Sequence, residues 1–286
     1  MKYRVCILWG LFITIVVVGV VYSLTASHSR TALVDLFGLP VSMKIILGLA
    51  LLLLILHSVW TLGYVYGIFL VALCFITGFV FEILGLSYGT VFGGHYLYHP
   101  GTRPTLLGVP LMVPLIWAGF IYAGYTIASS FSVWLNREKP SKHNHRIRDF
   151  LLLTALGGLV VVAIDLLMEP LQVKAGNWIW LDAGSYFNIP VGNLAGWFLV
   201  TFIATGIFRA LEYHMPKRPQ SINKSVFLIP VIGYGLLCLV FVAWALKLSL
   251  PVLSLIGFLA MFPITVVNVV LFLKWKRDAR LSQEQS

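Results

Sequence analysis

Charged residues are scarce in this sequence. Only 10% of its 286 residues are charged, whereas 59% are hydrophobic and 14% are aromatic, and the mean hydropathy is +0.93. Soluble domains carry about 25% charged residues, so the composition excludes a soluble globular protein. The apolar and aromatic content also excludes a disordered chain. The sequence therefore predicts a protein that lies mostly within a lipid bilayer.

Several familiar kinds of site are also missing from the sequence. The three cysteines, Cys6, Cys74 and Cys238, stand in separate apolar runs, which excludes a disulfide framework and a zinc knuckle. The chain has no glycine-rich phosphate loop, no nucleophile elbow and no Walker sequence. No span carries a central lysine that could bind retinal. These absences argue against nucleotide-binding, hydrolase and retinal-protein sites.

Long apolar runs divide the chain into membrane spans, each of about 20 residues. Eight spans can be delimited, at approximately residues 5–24, 41–60, 64–86, 107–131, 150–170, 192–211, 226–247 and 251–273. The first run is too long for the core of a signal peptide and lacks a convincing cleavage site, so we expect it to be retained. The sequence thus predicts an all-α, polytopic membrane helix bundle, with residues 1–286 in a single integral membrane domain.

The basic residues are distributed unevenly between the two sides of this arrangement. Fifteen of the 20 Lys and Arg fall on one side, within residues 2–4, 137–148, 209–224 and 274–280. The other five are Arg30, Lys44, Arg103, Lys174 and Lys247. Because cytoplasmic loops are enriched in Lys and Arg, we predict a multi-pass protein of the cell membrane with both termini in the cytoplasm. This rule accounts for the basic excess without a nucleic-acid partner.

An internal repeat relates spans three and four to spans five and six. Each copy has an acid, a glycine, two aromatic residues one residue apart, a proline and a tryptophan. The first copy consists of Glu82, Gly94, Tyr96, Tyr98, Pro110 and Trp117, and the second of Asp165, Gly176, Trp178, Trp180, Pro190 and Trp197. Both copies enter the membrane from the predicted cytoplasmic side, so a pseudo-two-fold axis along the membrane normal would bring the outer loops together. The alternative is that aromatics and prolines are merely common at membrane interfaces.

Three acids lie inside the predicted spans: Glu82, Asp165 and Glu169. A charge at the centre of a bilayer costs about 2.5–3.5 kcal/mol on the insertion scale, so we expect these acids to be functional. Asp165 and Glu169 are four residues apart and share one helix face. Two carboxyl groups so close in an apolar setting cannot both ionise cheaply, so one is expected to keep its proton. The alternative is a structural role, with the acids hydrogen-bonded to groups such as Asn193.

The aromatic pairs and two histidines flank these acids. Tyr96, Tyr98, Trp178 and Trp180 can form an ordinary interfacial belt or the wall of an apolar pocket whose ring faces stabilise a cation. His95 and His99 form an HxxxH pattern, but Gly93, Gly94 and Pro100 bracket it and make a regular helix doubtful there. We therefore interpret both as polar loop residues and predict no metal site.

Two stretches of the sequence, taken together, are typical of one family. The first contains Phe81-Glu82, Gly85, Gly89, Phe92-Gly93, Tyr96, Tyr98, Gly108-Val109-Pro110-Leu111 and Trp117. The second contains Asp165, Glu169-Pro170, Gly176, Trp178, Trp180, Gly184, Tyr186, Ile189-Pro190, Asn193 and Gly196-Trp197. Together they resemble the membrane carotenoid biosynthesis family, which includes acyclic carotenoid 1,2-hydratases and bisanhydrobacterioruberin hydratases. The resemblance covers residues 60–215, the expected catalytic core, while residues 1–59 and 216–286 match only as hydrophobic flanking spans.

The resemblance implies addition of water across the terminal C1=C2 double bond of an acyclic carotenoid ψ-end, giving a tertiary 1-hydroxy carotenoid. Such a reaction needs a protonated acid, aromatic faces near the cation and a base that orients water, but no cofactor or metal. Asp165 is the favoured proton donor, with Glu169 or Glu82 as the base. The expected substrate-binding residues are Tyr96, Tyr98, Trp117, Trp178, Trp180, Tyr186, Asn193 and Trp197. The expected partners are the carotenoid, water and membrane lipid.

Three alternatives remain open at this stage. Repeats with intramembrane acids also occur in proton-coupled transporters. The Asp165-x-x-x-Glu169 pair is similar to half of a magnesium–diphosphate site of a membrane prenyltransferase, although no second Asp-rich motif accompanies it. A non-catalytic scaffold that holds other carotenoid enzymes is the third. The sequence does not define the carotenoid chain length, the number of ends hydrated or the oligomeric state.

Overall fold

Eight long helices account for most of the part of the chain that the computed structural model describes, residues 2–25, 41–102, 104–135, 143–214 and 224–284. They are α1 Lys2–Thr25, α2 Val41–Leu62, α3 Tyr64–Tyr88, α4 Met112–Trp134, α5 His143–Lys174, α6 Gly192–His214, α7 Leu228–Lys247 and α8 Pro251–Glu284. All eight are long and apolar enough to cross a membrane. The predicted all-α, eight-span bundle is therefore confirmed.

Short strands connect the helices at the expected outer end of the bundle. Within the described ranges they are β1 Tyr96–Tyr98, β2 Thr105–Leu106, β3 Val109–Pro110 and β4 Trp178–Trp180. β1 pairs with β4 in one antiparallel sheet, and β2 pairs with β3 in a hairpin. The β1–β4 sheet therefore joins the loop after α3 to the loop after α5.

Several helix boundaries differ from the predicted spans. Span four was expected to begin at residue 107, but this residue lies in the β2–β3 hairpin, and α4 begins only at Met112. The hairpin turn forms at Leu107 and Gly108, whose φ angles of 51° and 82° are incompatible with a helix. α5 begins before the predicted residue 150 and α8 ends after the predicted residue 273, because their hydrophilic ends are helical but fall outside an apolar window.

Small residues allow the central helices to approach closely. A Cβ atom added to Gly124 of α4 would lie 2.7 Å from the carbonyl oxygen of Gly157 in α5. Such contacts between small residues are a common way for membrane helices to pack. α5 also packs against α6 and α8, so the helix that carries two of the three acids lies inside the bundle.

Buried polar contacts cross-link the helices away from the acids. In α2, His57 Nδ1 is 2.6 Å from the Tyr122 hydroxyl oxygen of α4, and His57 Nε2 is 3.0 Å from the carbonyl oxygen of Val226. Because a carbonyl oxygen only accepts, Nε2 carries the proton, and Nδ1 of a neutral ring accepts from Tyr122. Ser130 of α4 donates to Asn268 Oδ1 of α8 over 2.5 Å.

Arg209 is buried, although the charge distribution assigns it to a cytoplasmic loop. Its side chain in α6 is 8% exposed, and the guanidinium lies 4.5 Å from the Tyr125 ring centre. It donates to the Ser129 hydroxyl over 3.0 Å and to the Tyr125 carbonyl oxygen over 3.2 Å. Tyr125 is eight residues after Trp117, roughly 12 Å along the helix, so this cation lies in the other half of the bundle from the Trp117 end.

Candidate active site

The two outer loops meet in the β1–β4 sheet, as the repeat predicts. Tyr96 pairs with Trp180, Leu97 with Ile179 and Tyr98 with Trp178. In the repeat, Tyr96 corresponds to Trp178 and Tyr98 to Trp180, so exchanging the two copies leaves this register unchanged. A local two-fold axis therefore passes between Leu97 and Ile179.

The two members of a second pair of corresponding residues contact each other deeper in the bundle. Trp117 of α4 and Trp197 of α6 stack with their ring centroids 3.8 Å apart and an angle of 23° between the ring planes. Self-contact between equivalent residues is expected on a two-fold axis. The sheet and this stack therefore place the two copies of the repeat around one centre.

Glu82 accepts hydrogen bonds from three aromatic side chains of its own repeat. The Tyr96 and Tyr98 hydroxyls each donate to Oε2 over 2.6 Å, and Trp117 Nε1 donates to Oε1 over 2.7 Å. The carboxyl is only 5% exposed. Gly85, one turn further along α3, leaves room for this arrangement, since a Cβ atom there would lie 2.8 Å from the Tyr96 hydroxyl.

The two tyrosine hydroxyls are firm hydrogen-bond donors. Burial and then the nearby charge of Glu82 raise the pKa of Tyr96 and of Tyr98. The charge of Glu169 acts on both rings in the same direction. Both hydroxyls therefore keep their protons, and Glu82 receives donors on both oxygens, which favours its carboxylate form.

Glu169 is the counterpart of Glu82 in the second repeat. Trp178 Nε1 and Trp180 Nε1 donate to its Oε1 over 2.6 and 2.8 Å, and the carboxyl is 4% exposed. Each glutamate thus accepts from the two aromatic residues of its own loop. The predicted match of Glu82 with Asp165 is wrong. The first loop is longer than the second, so counting residues back from each aromatic pair matches Glu82 with Asp165, which lies one helical turn before Glu169.

Asp165 has one free oxygen in this cluster. It is fully buried, and Asn193 Nδ2 of α6 donates to its Oδ2 over 2.7 Å. Its Oδ1 is buried and finds no hydrogen-bond partner among the described residues. A buried carboxyl oxygen without a donor is costly as an anion, whereas a protonated oxygen there is available to a substrate.

Aromatic rings line the space around these carboxyls. Tyr96 lies 5.0 Å from Trp180, and Tyr98 lies 5.9 Å from Trp178, measured between ring centroids. Phe92 stacks on Trp117 at 6.3 Å. The site therefore combines three carboxyl groups with several ring faces in a setting from which bulk water is excluded.

The Tyr186 hydroxyl donates to the helix backbone and to none of the three acids. It donates to the carbonyl oxygen of Leu166 over 2.7 Å. Pro170 lies within α5 and has no N–H, so the carbonyl four residues earlier loses its helical partner. Tyr186 replaces that partner and anchors the second loop to α5 beside Asp165 and Glu169.

The sequence of this chain matches a known protein family. A model of the family described as "Carotenoid biosynthesis protein" matches residues 41–263. The chain belongs to this family. No curated protein and no solved structure matches it. With its eight apolar helices, it is a membrane protein of carotenoid biosynthesis that acts on a carotenoid-related substrate.

Outside the acid cluster, the loops of this carotenoid biosynthesis protein are tied together by Asp182, which sequence reasoning missed. Its Oδ2 accepts from the backbone N–H of His95 over 2.7 Å and lies 3.0 Å from His95 Nδ1. These hydrogen bonds lower the pKa of Asp182. His99 Nδ1 accepts from the N–H of Gly101 over 3.0 Å. The His95 ring thus contacts the Asp182 carboxylate and the His99 ring holds loop backbone, and no metal-holding group of three or more His, Cys, Asp or Glu occurs within the described ranges.

Proposed function

We propose that this protein is a carotenoid hydratase that adds water across the terminal C1=C2 double bond of an acyclic carotenoid ψ-end. The buried, unpartnered Oδ1 of Asp165, beside a second carboxyl and aromatic faces, is the observation that carries this proposal. The family match supports the carotenoid part of it. The product is a tertiary 1-hydroxy carotenoid.

The reaction divides between the two acids of α5. Asp165 donates the proton on Oδ1 to the less substituted alkene carbon, and the π electrons form the new C–H bond. The tertiary cation is then captured by water, whose oxygen forms the C–O bond. Glu169 takes a proton from that water on Oε2, for which no hydrogen bond is present within the described ranges. Proton return to Asp165 completes the cycle, so water is added and nothing is oxidised.

Glu82 has a different role in this proposal. Its two oxygens receive three donors, which hold the carboxyl group in place and favour its anionic form. Aromatic faces and this negative charge together stabilise the cation as it develops. The residues around Glu82 thus stabilise the transition state, whereas Asp165 and Glu169 of α5 transfer the protons.

Asymmetry between the repeats supports a single proton donor. When Glu82 is matched with Glu169 and Pro110 with Pro190, Asp165 corresponds to Gly78 and Asn193 to Val113. An added Cβ at Gly78 would already lie 2.5 Å from Trp117 Cβ, so no carboxyl side chain fits there. One carotenoid end is therefore processed at a time.

The arrangement favours an enzyme over a proton-coupled carrier. α3 and α5 remain helical through Glu82, Asp165 and Glu169, whereas carriers place their ion sites at broken helices. A prenyltransferase would need further carboxylates for a magnesium–diphosphate complex, and the donors to Glu82 and Glu169 are aromatic side chains instead. We therefore prefer hydration to both alternatives.

Expression in hosts that make different acyclic carotenoids tests the proposal. Pigments would be extracted and their masses measured, with an Asp165→Asn variant as the matched control. A mass increase of one water per processed end, absent with the variant, is the expected result. Unchanged pigment with the intact protein would support a scaffold or a carrier, and added prenyl units would support a prenyltransferase.

The membrane orientation is part of the same proposal. With both termini in the cytoplasm, the acid cluster lies near the non-cytoplasmic ends of α3 and α5. Reporter fusions after Arg148 and Lys224 should report the cytoplasm, and fusions near Arg103 and Lys174 the opposite side. A cytoplasmic signal from the Arg103 loop would place the acid cluster at the cytoplasmic side of the membrane and would contradict the proposed orientation.

A further inference from the structure

A cavity of about 480 Å³ lies beside the acid cluster at the outer end of the bundle. Its walls come from the last turn of α3, from β1 with the turn after it, and from the β2–β3 hairpin. Ser87, His99 and Thr105 give it polar groups, and Leu86 and Leu107 give it apolar ones. The three polar residues are exposed, so water can occupy this space.

One side chain, that of Tyr98, contacts both the cavity and an acid of the cluster. Tyr98 lines the cavity, and its hydroxyl donates to Glu82. Its ring also packs edge-on against Trp178 at 5.9 Å, and the Trp178 N–H donates to Glu169. Tyr98 therefore borders Glu82 directly and is connected to Glu169 through Trp178, so a movement of this ring would open the cavity toward the acid cluster.

The proposed reaction makes such a connection necessary. Hydration consumes one water molecule in each turnover, yet Asp165, Glu169 and Glu82 are between 0% and 5% exposed. Lipid surrounds the helices, so water cannot arrive from the side. A polar cavity that ends at Tyr98 provides a route from the outer aqueous phase.

We propose that this cavity is the vestibule through which the water substrate enters, and that Tyr98 is the side chain that closes it from the acid cluster. The proposal rests on the hydratase function. The carotenoid, by contrast, approaches from the membrane. Blocking the vestibule therefore slows turnover without weakening the binding of the carotenoid.

A removable chemical plug tests this proposal. Ser87→Cys would be combined with Cys6→Ser, since Cys74 and Cys238 are buried and Cys6 is exposed. A charged, membrane-impermeant methanethiosulfonate reagent would be added to sealed right-side-out vesicles, and labelling would be followed by protein mass. Leu106→Cys in the same background is the control, because Leu106 is 52% exposed on the hairpin but does not line the cavity.

We expect both introduced thiols to be labelled from the outside. Labelling at position 87 should lower kcat at least tenfold with the carotenoid KM unchanged, and a thiol reductant that removes the adduct should restore the rate. Labelling at position 106 should leave the rate unchanged. The proposal is overturned if position 87 is not labelled, if the plugged protein turns over at full rate, or if the plug raises KM alone. If the unplugged protein hydrates no acyclic carotenoid, the proposed function fails instead.

Discussion

Replacing Asp165 by asparagine should separate the catalytic role of this carboxyl from its structural role. The amide has nearly the same shape, and its oxygen can accept the hydrogen bond that Asn193 donates to Oδ2 over 2.7 Å. The amide nitrogen would occupy the place of Oδ1, to which none of the described residues donates a hydrogen bond. The substitution thus removes the acidic proton and keeps the contacts of the helix.

The two expected effects differ in size. Because the hydrogen bond from Asn193 is kept, the free energy of unfolding should change by no more than about 1 kcal/mol. Loss of a general acid costs about 10²–10⁴-fold in rate, which corresponds to roughly 3–5 kcal/mol in activation free energy. The loss of activity should therefore far exceed the loss of stability.

Hydration would be measured with purified protein in liposomes. Stability would be measured by thermal unfolding of the purified protein in detergent, with the same detergent for every variant. Asp165→Ala is the control, because it leaves the Asn193 amide unpaired and should also cost about 1–3 kcal/mol of stability. A stable Asp165→Asn protein that hydrates at the unmodified rate would refute the assignment of Asp165 as the proton donor.

Three further predictions test the contacts around the site. Glu82→Gln replaces one accepting oxygen by an N–H₂ group, so either the two tyrosine hydroxyls or the Trp117 N–H lose their acceptor, and unfolding should become easier by about 1–3 kcal/mol; unchanged thermal stability would contradict the donor pattern. Tyr186→Phe should lower the free energy of unfolding by about 1 kcal/mol. Adding Pro170→Ala should recover part of this loss, because the restored N–H can bond to the carbonyl oxygen of Leu166. A double-mutant cycle followed by thermal unfolding measures the coupling, and full additivity of the two substitutions would count against the link. Trp178→Phe keeps a ring but removes one of two donors to the α5 glutamate, so kcat should fall more than KM changes in steady-state assays; an unchanged kcat would show that only the ring face matters.

The spans could be predicted from sequence because a membrane imposes a strong constraint on composition. Each helix needs about 20 apolar residues to cross the bilayer, and a hydropathy pattern records this directly. The error at α4 shows the limit of that signal. Leu107 is apolar but lies in a hairpin turn with positive φ, and apolarity alone does not distinguish such a turn from a helix.

The sequence identifies the residues of the candidate site better than it identifies their hydrogen-bond partners. The repeat correctly brings the two aromatic loops together, but it matches Glu82 with the wrong acid. Tyr96 follows Glu82 by 14 residues, whereas Trp178 follows Glu169 by only nine. Spacing therefore favoured Asp165, and only the hydrogen bonds reveal the correspondence.

Other contacts depend on tertiary structure in the same way. Pro170 signals a free carbonyl at residue 166, but the sequence does not say that Tyr186 donates to it. Asp182 carries no motif, and its link to His95 exists only because β1 and β4 pair. Such links arise from the meeting of two distant loops, which local patterns do not encode.

The most direct test of the hydratase proposal is the origin of the new oxygen atom. The purified protein would be reconstituted in liposomes with an acyclic carotenoid and heavy-oxygen water, without any added cofactor. The proposal predicts a tertiary 1-hydroxy carotenoid in which the hydroxyl oxygen carries the label. A carotenoid that remains unmodified, or a hydroxyl without the label, would contradict it.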